Sequence, residues 1–153
     1  MRKNVCSMLS FILLILAGCN SADKKIPEMA SDFCNCFSSM EMNLNSKTKQ
    51  IVEAAANSAD PSKTMKDEAK KLDEEEKKTV GEEFASFAEI DNPDSKIGRC
   101  LADVDKKYGK PNAMNESKLI RKLITELESK KGCEFTVAVL KLSLKTREKG
   151  KVN

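Results

Sequence analysis

The sequence predicts an all-α protein, an antiparallel bundle of about five helices stapled by two disulfides. Three observations predict it. Apolar residues recur at steps of three, four and seven along most of the chain. All four prolines stand where a helix can begin. Charged residues make up 33% of the chain and aromatics 5%, a balance that suits solvated helix faces better than strands.

The first helix, about 27–58, opens at Pro27 and carries Met29, Phe33, Phe37, Met40, Leu44, Ile51 and Ala55 on one face, with Asn43–Ser46 a point of kinking or interruption. The second, about 61–90, starts at Asp60-Pro61, where the Asp side chain takes a free helix amide and proline has none to lose. Its inner face holds Met65, Ala69, Leu72, Val80, Phe84 and Phe87. Its outer face pairs charges four apart (Lys70/Glu74, Asp73/Lys77, Glu74/Lys78) and reads as solvated. The third, about 93–108, follows Asn92-Pro93 and carries Ile97, Cys100, Leu101, Val104 and Tyr108. After a loop with Pro111, Asn115 caps the fourth, about 116–131, built on Leu119, Ile120, Leu123, Ile124 and Leu127, with Gly132 as its stop. Over Cys133–Lys145, Phe135, Val137 and Val139 alternate as in a strand, while Cys133, Val137, Leu140 and Leu144 fit a helix. A lone strand has no partner in a chain that is otherwise helical, so a fifth helix is expected. Residues 27–153 thus form one helical domain.

The N-terminus is of another kind. Arg2 and Lys3 precede the apolar run Leu9–Ala17, too short to span a bilayer comfortably and right for an export signal over residues 1–18. The run ends in Leu16-Ala17-Gly18-Cys19, which resembles the lipobox of bacterial lipoproteins. The resemblance implies cleavage before Cys19, lipidation of its sulfur and a lipidated tether over 19–26. More than one acyl chain anchors stably where a single one is marginal. Asn20 stands where an aspartate is the familiar inner-membrane retention signal, so the resemblance implies an outer-membrane location facing the periplasm. The segment Phe33-Cys34-Asn35-Cys36-Phe37, with single later cysteines, is similar to small helical lipoproteins of Bacteroidota that mostly lack assigned activities.

Export puts Cys34, Cys36, Cys100 and Cys133 in an oxidising compartment, and their number is even. Cys34 and Cys36 lie two apart on one helix, about 200° around its axis, so each must reach another helix. In an up-and-down bundle with the first and third helices rising together, all four cysteines lie at one end. Cys133 is near the base, Cys34 and Cys100 roughly 10 Å up and Cys36 roughly 13 Å up. This favours Cys34–Cys133 and Cys36–Cys100, with the swapped pairing close in height.

The composition excludes several functions. Without histidine there is no Ser-His-Asp or Cys-His catalysis and no His-ligated metal site. The glycines do not cluster into a phosphate-cradling loop. Removing Arg2 and Lys3 leaves 25 basic against 24 acidic residues, with the basic excess at 130–153, so no nucleic-acid partner is expected. Cys34 and Cys36 lie too deep in a helix for a thiol oxidoreductase pair. The acids Asp73–Glu76, Glu82 and Glu83 are interleaved with lysines, with nothing to set a catalytic pair apart. No catalytic residue, cofactor or resident metal is expected. The expected function is a membrane-anchored, non-enzymatic binding lipoprotein with another envelope component as partner. The alternative is soft-metal Cu(I) binding through Cys34, Cys36, Met40 and Met42, since thiolates and thioethers select that ion.

Overall fold

The computed structural model describes residues 25–109 and 116–149, and among these it holds seven α-helices and no strand. They are α1 (Ile26–Glu41), α2 (Ser46–Asn57), α3 (Pro61–Lys70), α4 (Glu74–Ser86), α5 (Lys96–Tyr108), α6 (Glu116–Glu128) and α7 (Glu134–Lys149), with a 3-10 turn at Phe87–Ile90. The export segment 1–18, Cys19 and the loop with Pro111 and Asn115 lie outside the described residues.

Seven helices replace the expected five because two long ones are broken. The first break separates α1 from α2. The Asn45 side chain accepts the Lys47 amide at 2.9 Å, and the Asn45 amide donates to both Glu83 carboxylate oxygens at 2.9 and 3.0 Å. The second separates α3 from α4. Asp73 Oδ1 accepts the Glu76 amide at 2.8 Å, and the Asp73 amide donates to Glu76 Oε2 at 3.2 Å, a reciprocal capping box. Lys70/Glu74 therefore straddles a break and Asp73 stands at a cap. Pairs three apart form instead, with Lys70–Asp67 at 3.0 Å, Lys71–Glu68 at 2.7 Å and Lys77–Glu74 at 2.6 Å. The third expected helix also starts later than Pro93. Asn92 accepts the Asp94 amide, and Ser95 caps α5 by accepting the Gly98 amide at 2.8 Å.

Helix α7 runs through the centre, against α1, α2 and α6. Phe135, Thr136, Val137, Ala138, Leu140 and Leu144 are all buried. It forms an antiparallel hairpin with α6, where Lys141 pairs with Glu128 at one end and Arg121 with Glu148 and Arg147 with Glu116 at the other. Leu123 and Leu127 of α6 face α1 and α7, nearly inaccessible; truncating either to alanine costs about 2–5 kcal/mol. Lys145 Nζ donates to the carbonyls of Ala56 and Ser58 at the C-terminus of α2, where orphan acceptors and the helix dipole favour a cation.

The expected direction of the third helix is overturned. Tyr108 and Lys107 at the end of α5 meet Asp32 in the first half of α1, while Cys100, early in α5, meets Cys36 further along α1. The two helices run antiparallel, not together. The breaks at 42–45 and 71–73 fold the chain before α5, so counting reversals from five long helices misassigns its sense.

Candidate functional site

The four cysteines form two bridges, Cys34–Cys133 with Cα atoms 5.5 Å apart and Cys36–Cys100 at 5.7 Å. The first ties α1 to the start of α7 and the second ties α1 to α5. Cys34, Cys36 and Cys133 are buried in the same cluster as Met29, Leu123 and Leu127. An oxidised, buried sulfur is neither nucleophile nor thiolate ligand. Met40 packs beside Phe37 and Val52, whereas Met42 is 80% exposed. The Cys and Met sulfurs proposed for Cu(I) are therefore not gathered. Among the described residues no group of three or more His, Cys, Asp or Glu side chains is arranged around an ion site.

Four of the acids singled out by sequence are engaged in local structure. Asp73 and Glu76 form the capping box, Glu74 pairs with Lys77, and Glu83 holds the Asn45 amide. Asp32 accepts from Lys107 Nζ at 2.8 Å and Tyr108 OH at 2.7 Å, and the Lys107 ammonium lies 4.9 Å from the Tyr108 ring centre. Those two hydrogen bonds, Lys107 first, hold the Asp32 carboxyl below the usual carboxylate range. The cluster straps α1 to α5 beside the Cys36–Cys100 bridge.

The least finished surface lies on α3 and α4. No residue of α3 is fully buried, and only Val80 is in α4. Met65 and Phe84 pack around Ile51, Leu72 and Val80 and remain half-exposed. Between the helices lies an open groove of about 630 Å³, walled by Met65, Ala69, Leu72, Val80, Gly81 and Phe84. Every charged side chain lining it is a lysine: Lys66, Lys70 and Lys77. The acids that pair with two of them, Asp67 and Glu74, are not part of the lining.

Gly81 is the anomaly of this groove. It sits inside α4, where glycine costs about 1 kcal/mol relative to alanine. A Cβ built there meets nothing within 4 Å, and the backbone has no positive φ that would call for glycine. Gly98 is the opposite case, since a Cβ there collides with the Asn92 carbonyl. Gly81 therefore has no packing reason within the described residues, and its effect is to leave the α4 backbone bare at the groove.

A second cleft of similar volume enters the core between α1, α5, α6 and α7, past Phe33, Leu101 and Leu119. Its rim mixes Asp105, Glu116 and Arg147, the last two paired with each other. It has neither uniform charge nor an unexplained glycine. Sequence reasoning took Met65, Ala69, Leu72, Val80 and Phe84 as the core face of one long helix and missed the groove. The signal was present in Gly81, an isolated glycine in a helical run beside Val80. The chain matches no protein-family model, no curated protein and no solved structure.

Proposed function

We propose that the chain is a lipid-anchored, non-enzymatic binding module of the bacterial cell envelope, attached through Cys19 at the outer membrane and docking an envelope protein. The observation that carries the reading is the groove on α3 and α4, apolar along its walls and lined by lysines alone, on a domain cross-linked by two disulfides. Apolar surface left accessible beside one sign of charge serves binding better than stability. The segment Leu16-Ala17-Gly18-Cys19 supports the anchor. A domain fixed near a bilayer with a preformed groove loses little freedom when it captures a partner. The cysteines are joined in bridges, and Asp73, Glu74 and Glu76 are engaged at a helix cap or in an ion pair, which supports binding over turnover.

The test is palmitate labelling and in-cell crosslinking of the full chain beside Cys19→Ala. The expected result is a labelled, membrane-bound protein with a reproducible crosslinked partner, and loss of label and membrane fractionation in the variant. Equal labelling of both forms overturns the anchor, and the absence of any crosslinked protein overturns the binding reading.

A further inference from the structure

We infer that the α3–α4 groove docks an acidic amphipathic helix of a partner protein, in direct contact with the bare backbone at Gly81. This rests on the binding reading above and names its site and the chemistry of its partner.

Three features select that occupant. The walls offer Met65, Leu72, Val80 and Phe84 to apolar side chains spaced along one face of a helix. Lys66, Lys70 and Lys77 favour a glutamate or aspartate flanking that face, which shares Lys70 with Asp67 and Lys77 with Glu74. Gly81 lets a second backbone approach more closely than any side chain would allow. An anionic bilayer fits less well, because its flat surface cannot enter a groove between two helices as a single helix can. A second copy of the chain fits less well too. Its docking helix would need an exposed apolar stripe, and the one large exposed apolar side chain among the described residues is Met42.

The test places p-benzoylphenylalanine in place of Lys66, and separately in place of Ser129 on the turn after α6, in the full chain in its native membrane. Crosslinked peptides are sequenced after irradiation. The Lys66 probe is expected to link one protein at an acidic segment with helical apolar spacing. Gly81→Leu, which fills the bare site, and Lys70→Glu with Lys77→Glu should each reduce that product at least about tenfold. Gly81→Leu should do so without lowering Tm, since leucine is the better helix former. Reversing the linked acids in the partner to lysines should restore the product in the Lys70→Glu, Lys77→Glu chain. A product that persists in these variants, a linked phospholipid, a linked second copy or a basic linked segment overturns the inference. A partner linked from Ser129 and not from Lys66 overturns the groove and leaves the binding reading standing. No linked protein from either position overturns both.

Discussion

Alanine in place of two helical glycines should move stability in opposite directions. At Gly81 the built Cβ meets nothing within 4 Å and the backbone is already helical, so Gly81→Ala should realise the full difference in helix propensity, about 1 kcal/mol of added stability. For a domain of this size that is a rise of about 4 °C in Tm. At Gly98 the same propensity gain is opposed by a collision. The Cβ runs into the Asn92 carbonyl oxygen and comes within 2.8 Å of its carbon. That carbonyl cannot swing away cheaply, since the Ser95 amide donates to it at 3.1 Å and the Ser95 hydroxyl lies 2.9 Å from it. Forcing a methyl into such a site costs about 1–3 kcal/mol, so Gly98→Ala should lose up to about 2 kcal/mol net. The two variants should therefore differ by the cost of the collision, about 1–3 kcal/mol. Urea unfolding of the oxidised proteins reads this as opposite shifts of midpoint at constant slope. A neutral or destabilised Gly81→Ala would show that the bare site is needed within the fold itself, which removes the reason for assigning it to a partner. A stabilised Gly98→Ala would show that the turn before α5 yields freely.

Other expectations follow from single groups. Replacing Cys36 and Cys100 together by alanine reopens a separation of 64 residues and should cost up to about 4 kcal/mol in urea unfolding, less if native packing between α1 and α5 relaxes; an unchanged midpoint would refute the stapling role. Thr48 is fully buried and its hydroxyl has no hydrogen-bond partner among the described residues, so Thr48→Val should add about 1 kcal/mol, and a loss of that size would show that the hydroxyl is satisfied. The Asp32 carboxyl titrates below its unfolded value, so its contribution is present above that value and disappears as pH falls through the lowered one. Asp32→Asn should thus lower Tm by at most about 2 °C near neutral pH, because the pair with Lys107 is solvent-screened, and by progressively less as pH falls through the lowered value. A difference that persists in acid would assign the effect to packing.

Helix class and most core positions were legible because each apolar stripe buries against a neighbour. Helix α7 shows why its local pattern was ambiguous. Phe135, Val137 and Val139 alternate, yet Cys133, Val137, Leu140 and Leu144 keep helical spacing, and both patterns are satisfied because α1, α2 and α6 enclose this helix on several sides. A helix buried nearly all round loses the one-sided stripe that separates it from a strand. The breaks in the long helices were written more locally. Asp73 and Glu76 have the spacing of a capping box, a start signal inside what reads as continuous helical periodicity. Charges four apart on that stretch masked it, since Lys70 and Glu74 look like a pair until the cap divides them. The sense of α5 was not legible from any local feature. It depends on how α2, α3 and α4 fold the chain between Glu41 and Lys96, which is decided by long-range contacts such as Glu83 to the Asn45 amide. The groove was hidden for the same reason. Met65, Ala69, Val80 and Phe84 have the spacing of core residues, and only tertiary structure tells that the surface they face is left open. Gly81 was the one local sign, because nothing among the described residues requires a glycine there.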